Sequence, residues 1–140
     1  AASGIYHAGF MSHVSEERLR RFFVQRSDNY QVIPAIREKV IFAVHDLVKD
    51  PPFTRIDLIS CRNLLIYFQP MLQQRALSRM LFALRPQGLL FLGPSETTGE
   101  LSHEFDTVSS RWKIQRKRSD ARVITPGELH QQSRPLPMRS

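Results

Sequence analysis

Apolar positions along the chain change period repeatedly, from helical to strand-like and back. Between residues 15 and 25, Leu19, Phe22 and Phe23 recur at spacings of three and four and predict a helix with one apolar face. Ser12 or Ser15 can cap it, and Glu16 and Glu17 suit its first turn. Ser27-Asp28-Asn29 reads as a turn. Tyr30-Gln31-Val32-Ile33 is a short strand candidate halted by Pro34, and Val40-Ile41-Phe42-Ala43-Val44 is a stronger one. The two could pair as a hairpin-like unit around residues 35–39. Pro51 and Pro52 make Lys49–Phe53 a loop. Residues 56–61 form the next apolar run, which stops abruptly at Cys61-Arg62-Asn63. From Pro70 to Leu84, Met71, Leu72, Ala76, Leu77, Met80, Leu81 and Leu84 follow helical spacing, with Pro70 suited to the first turn. Both methionines are expected in the core. Arg85-Pro86-Gln87-Gly88 stops this helix. Leu89-Leu90-Phe91-Leu92 is nearly continuous, as buried parallel strands tend to be, and Gly93-Pro94-Ser95-Glu96 turns the chain. Phe105 and Val108 are expected to anchor a loop or short helix. Residues 111–116 alternate like a closing strand with one exposed face. Residues 1–11 show no clear period, and after Lys117 the periodicity vanishes.

Strands alternating with helices predict an α/β, doubly wound sheet. The 140 residues are at most one ordinary domain with a real core. A start at Ala1 is expected of a processed chain or a piece of a longer one. No apolar run approaches the ~20 residues of a membrane-spanning helix, and no signal-peptide pattern opens the chain. One cysteine, Cys61, excludes an internal disulfide and fits a reducing compartment. The formal net charge of +7 is unevenly placed. Residues 111–140 carry eight Lys or Arg against Asp120 and Glu128, whereas the other 110 carry twelve basic and eleven acidic residues. Basicity therefore belongs to the tail, where it fits a solvated linker over residues 118–140 better than specific nucleic-acid binding.

No nucleophile elbow and no phosphate-binding glycine loop is present. The five histidines are scattered without metal-ligand spacing, and Cys61 has no identifiable partner base. What remains is a set of polar residues at apolar-run ends: Asp46, Arg62, Asn63 and, a turn further on, Tyr67. Polar groups in that place either meet a ligand beyond the carboxyl ends of the strands or, for Asn63, cap a following helix. Asp and Asn offer acceptors and donors to ribose hydroxyls or an adenine edge, and Arg62 offers a planar fork to a carboxylate. Such a set suits a nucleoside bearing a carboxylate better than a nucleotide.

Phe42-Ala43-Val44-His45-Asp46-Leu47, Asp50-Pro51-Pro52-Phe53 and the block from Asp57 to Phe68 resemble CheR-type chemotaxis methyltransferases. So do Ala83–Gly88 and Phe91–Thr97. The resemblance runs from about Gly4 to Lys117, and near Asp50–Phe53 it is nearest to large sensory hybrids that also contain methylesterase and PAS-type domains. It implies the C-terminal portion of a Rossmann-like sheet dependent on S-adenosyl-L-methionine (SAM). Residues 1–117 would be a partial methyltransferase domain lacking its N-terminal half, and 118–140 a disordered, basic interdomain linker. It further implies methyl transfer to glutamate side chains of chemoreceptor-like proteins in the cytoplasm. By it, Asp46, Leu47, Arg62 and Asn63 would contact SAM, Tyr67 would lie beside the transferred methyl group, and no metal is needed. Other domains of the same polypeptide are expected partners; specific nucleic acid and membrane insertion are not. The family's glycine loop and acidic strand end have no counterpart here, so the chain alone is expected to show no appreciable methyl transfer. A degenerate, non-enzymatic scaffold in a sensory protein is the alternative. Gln87 stands where the family commonly has a glycine, and residues 12–44 occupy the place of a subdomain that docks receptors in some relatives.

Overall fold

A computed structural model describes residues 2–119, which divide between Val44 and His45 into two compact units. Most of the expected linker, from residue 120 on, lies outside the described residues.

In the first unit Ser15 caps α1 (Glu16–Phe22), its Oγ accepting from the Arg18 N–H at 3.4 Å. Glu16 and Glu17 in the first turn and Arg20 and Arg21 in the last complement the helix dipole. The helix ends earlier than its apolar spacing predicts, because Phe23 turns extended (φ −132°, ψ 153°) and opens β2 (Phe23–Arg26). Ser27 and Asp28 close a tight hairpin to β3 (Asn29–Val32), with Ser27 at φ 51°. β1 (Ile5–His7), three residues long and invisible to periodicity, adds to the other edge of β3 in an antiparallel order β1-β3-β2. The Phe23 ring meets Tyr6 and Tyr30 edge-on, at 6.5 and 6.4 Å, a favoured aromatic geometry.

Two expectations fail here. Pro34 opens a short helix, α2 (Pro34–Arg37), where a hairpin around residues 35–39 was predicted. Val40–Val44 is not a strand: none pairs with it among the described residues, and Ile41 and Val44 are fully exposed. Strand propensity without a partner's N–H and C=O groups does not make a strand.

The second unit carries β4 (Ile56–Cys61), α3 (Pro70–Ala83), β5 (Leu84–Leu92), β6 (Phe105–Ser109) and β7 (Ile114–Lys117) in the sheet order β4-β5-β7-β6. β4 and β5 run parallel, Cys61 opposite Leu92, and α3 makes the crossover that a parallel pair needs. β7 is antiparallel to both neighbours, so the sheet is mixed. Ala76, Leu77, Met80 and Leu81 of α3 pack on Leu84, Leu90 and Leu92 of β5, with Leu65, Leu101 and Phe105 closing the core. Met71, expected there, is 81% exposed. At 3.6 residues per turn it lies about half a turn out of phase with the buried Met80.

β5 also begins earlier than predicted. Leu84 pairs with Ile56, then the register shifts so that Leu89 faces Leu58, and residues 85–88 are taken up in the irregularity. Gln87 there has φ 67°, and a side chain on Gly88 would meet the Ile56 carbonyl at 3.1 Å. Phe105 and Val108 belong to a strand, not to a loop or helix. The closing strand starts only at Ile114, because Lys113 (φ 56°) and a 3.2 Å bond from the Trp112 N–H to Ser109 Oγ turn the chain first. At its end Lys117 is buried, and its Nζ donates to the Leu81 and Leu84 carbonyls at 2.7 Å each.

Candidate functional site

β4 delivers Cys61 to the carboxyl rim of the sheet, buried against Leu65 and Leu92, and the chain must then leave the sheet. It leaves through Asn63 at φ 57°, a left-handed conformation that asparagine tolerates better than most residues. Asn63 caps no helix. The next turn is a 3-10 helix, Leu65–Tyr67, with Leu64 as N-cap and no side-chain cap bond, and α3 starts after Gln69.

A carboxylate from the next strand's end organises this corner. Glu96, only 3% exposed, sits on the turn after β5, its N–H bonded to the Gly93 carbonyl at 3.1 Å. Its Oε1 accepts from the N–H groups of Asn63 and Gly93, each at 2.8 Å. Its Oε2 accepts from Leu64, Leu65 and Ile66 at 3.1, 2.6 and 3.3 Å. Burial pushes the Glu96 carboxyl up, but the backbone donors outweigh it and hold the pKa below its ordinary value. Gly93 leaves no room for a side chain: a Cβ would stand 2.6 Å from both Asn63 Oδ1 and Glu96 Oε1.

Arg62 is exposed, and its guanidinium lies over the half-buried Phe91 ring, Cζ 4.2 Å from the centroid. Stacking occupies the guanidinium face and leaves its N–H edge for a planar anion. Tyr67, 79% exposed, ends the 3-10 turn, with its N–H bonded to the Leu64 carbonyl at 3.1 Å. Gln73 of α3 braces that turn through bonds to the Leu65 and Phe68 carbonyls at 2.8 and 3.0 Å.

Asp46 and Leu47 sit on a different turn. Asp46 Oδ1 accepts from the Val48 and Lys49 N–H groups at 2.9 Å each, and Asp50 Oδ2 accepts from the Asp46 N–H at 2.6 Å. The Lys49 and Val48 bonds hold the Asp46 carboxyl below its ordinary pKa. Leu47 packs against the core and lines a mainly apolar cavity of about 280 Å³ with Phe53, Ile59 and Met80. That cavity takes in neither Arg62 nor Asn63. The predicted residues thus form two clusters: Arg62, Asn63 and Tyr67 on the β4 corner, Asp46 and Leu47 on the turn before β4.

Cys61 is a packing residue. Burial, and then the negative charge of Glu96, push its thiol up, the opposite of nucleophile activation. Among the described residues no group of three His, Cys, Asp or Glu could hold a metal ion, and no helix is long and apolar enough to cross a membrane. Sequence reasoning missed Glu96, Phe91 and Gly93 as parts of the corner. The available signal was a glycine and a glutamate three residues apart just beyond a buried strand.

Comparison with known proteins identifies the relatives of this chain. The family model described as the CheR methyltransferase, SAM-binding domain, matches residues 1–114. An uncharacterised 104.1 kDa protein of Rhodobacter capsulatus is 45% identical over 114 residues, which is 81% of this chain and 12% of that protein. A chemotaxis protein methyltransferase of Listeria innocua is 38% identical over 96 residues, 69% of this chain and 37% of the relative. One of Escherichia coli is 33% identical over 114 residues, 75% of this chain and 39% of the relative. The chain therefore spans well under half the length of these relatives.

Proposed function

This chain belongs to the CheR methyltransferase family, whose matched domain binds SAM, and from that membership we propose that it carries part of the cofactor and acceptor site of a protein-glutamate O-methyltransferase acting on chemoreceptor-like signalling proteins. The observation that carries the reading is the β4 corner, where Arg62, Asn63 and the turn ending in Tyr67 project from the carboxyl rim of a parallel strand pair. The residues present fit the cofactor in kind. Arg62, stacked on Phe91, keeps an N–H edge for the amino-acid carboxylate. Asn63, at its left-handed corner, offers an amide to polar groups of the nucleoside. Asp46, kept ionised by its turn, is an acceptor for hydroxyl or amino donors. Leu47 borders an apolar hollow suited to the flat face of a base.

When bound, SAM supplies a methyl group activated by its sulfonium. The acceptor glutamate attacks as a carboxylate, so the chain has no proton to remove and its contribution is orientation. Tyr67 presents its exposed hydroxyl beside the corner to hold the acceptor oxygen in line.

The deciding experiment is calorimetric titration of SAM into the full-length protein, wild type against Arg62→Ala and Asn63→Ala. Each variant is expected to weaken binding about tenfold or more, the loss of a charge-assisted hydrogen bond or of an amide partner. Arg62→Ala is expected to do so at unchanged melting temperature, and Asn63→Ala with the fold intact but a lower one, since alanine is less at ease than asparagine at φ 57°. Unchanged affinity in both removes the site assignment. Tight cofactor binding without labelled methyl transfer to a receptor's glutamates favours the scaffold.

A further inference from the structure

A chain that has just left a sheet carries N–H groups with no neighbouring strand to receive them, and burying such donors unpaired is costly. At the end of β4 they come four in a row, from Asn63 to Ile66, and a single carboxylate accepts from all of them and from Gly93. Its two oxygens divide the work. Oε1 joins the end of β5 to Asn63, and Oε2 holds the start of the turn that ends in Tyr67. Glu96 is thus in direct contact with both halves of the corner.

No close relative of this side chain can do the same. Glutamine would turn an NH₂ donor toward N–H donors. Aspartate is one methylene short of a reach that already ends in bonds of 2.6–3.3 Å. Without the carboxylate the N–H groups of Asn63 to Ile66 lose their acceptor, which the bonds of Gln73 to the Leu65 and Phe68 carbonyls do not replace. The corner is then expected to relax from Asn63 at φ 57° toward an ordinary conformation. Most of the core is expected to hold, since Ala76, Leu77, Met80, Leu81, Leu90 and Leu92 lie on α3 and β5; Leu65 alone belongs both to the core and to the turn that Glu96 holds.

We propose that Glu96 is a positioning residue for methyl transfer: it touches neither substrate, and its carboxylate sets Asn63 toward the cofactor and the Leu65–Tyr67 turn toward the acceptor. The inference rests on the roles given above to Arg62, Asn63 and Tyr67.

The test is steady-state kinetics of Glu96→Gln and Glu96→Asp in the full-length protein, beside Arg62→Ala and Asn63→Ala. A purely structural loss depletes active enzyme, lowering kcat at unchanged KM. A positioning role raises KM for SAM, by about tenfold or more if it equals a charge-assisted hydrogen bond. Amide exchange at residues 63–66 is expected to accelerate in both variants while α3 and β5 keep their protection. A KM within about twofold of wild type in both Glu96 variants, with Arg62→Ala and Asn63→Ala still impaired, overturns this inference alone. Unimpaired Arg62→Ala and Asn63→Ala overturn the site reading beneath it. A measurement on the unmutated chain guards against variants that fail to fold. In a nuclear magnetic resonance titration toward acid, the amides of Asn63, Leu64, Leu65, Ile66 and Gly93 are expected to move together, with one midpoint. Separate midpoints, or no movement before the sheet unfolds, overturn the proposal.

Discussion

Gly93 and Asn63 stand where two strand ends approach too closely for a further side chain. A methyl group on Gly93 would overlap Asn63 Oδ1 and Glu96 Oε1, each at 2.6 Å. Gly93→Ala is therefore expected to cost about 1–3 kcal/mol of stability, as overpacking does, measured by urea unfolding. Cys61 gives a second prediction at this scale. Buried and with its thiol pushed up, it should react slowly with a thiol reagent in the native chain and many times faster once unfolded. Equal rates would place the thiol at the surface. Arg62 and Asn63 were legible in the sequence because they interrupt an apolar run. Glu96 was harder to read, because four of its five N–H partners lie 30 to 33 residues earlier, and the one local sign, Gly93 three residues before it, does not say what the carboxylate holds.

Among elements, those with a strong internal period were the legible ones. α3 has a persistent apolar stripe, and β4 and β5 are apolar runs bounded by polar or turn residues. The misses came where tertiary pairing decides. β1 exists because β3 offers an edge, and residues 40–44 are not a strand because none pairs with them among the described residues. The last turn of α3 depends on Lys117, whose Nζ takes two carbonyls at the helix end and start of β5. Burial lowers the Lys117 pKa, partly opposed by the charge of Glu104. Lys117→Met keeps the stem but leaves both carbonyls without this donor, at an expected cost of about 2 kcal/mol. Loss of thermal stability followed by circular dichroism checks it. Gln87 works the other way: at φ 67° it holds a conformation easy only for glycine. Gln87→Gly is expected to stabilise by up to about 1 kcal/mol, less whatever its 2.8 Å bond to Ser119 contributes. A destabilised variant would show that the bond outweighs the strain.

For the molecule as a whole, the α/β class followed from alternating periods, and the mixed sheet agrees with it. Its division into two units did not follow from periodicity or composition, since nothing linker-like separates residue 44 from residue 45; only the resemblance set residues 12–44 apart. The acid limb of stability is predictable from the two carboxylates whose pKa values are held down. A group with a depressed folded pKa contributes stability that is fully present above its unfolded value. For Glu96, with an ordinary value of 4.5, that contribution is lost as pH falls below 4.5 and through the folded pKa. Asp46 acts in the same direction, from its ordinary value of 3.8. Glu96→Gln should therefore flatten the acid limb of urea-unfolding stability against pH while changing little of its slope above neutrality.

The reach from Glu96 back to Asn63 also sets an order of events in folding. A chain emerging from the ribosome can display Asn63 to Tyr67 long before residue 96 is made, and during that interval the corner has no acceptor for its N–H groups. It closes only after α3 has crossed over and β5 has docked beside β4, a contact of long sequence separation and hence slow to form. Closure of the corner is thus expected to come late in folding. On the proposed reading of the site, a half-made chain offers the residues for the cofactor but not yet the shape that would hold it.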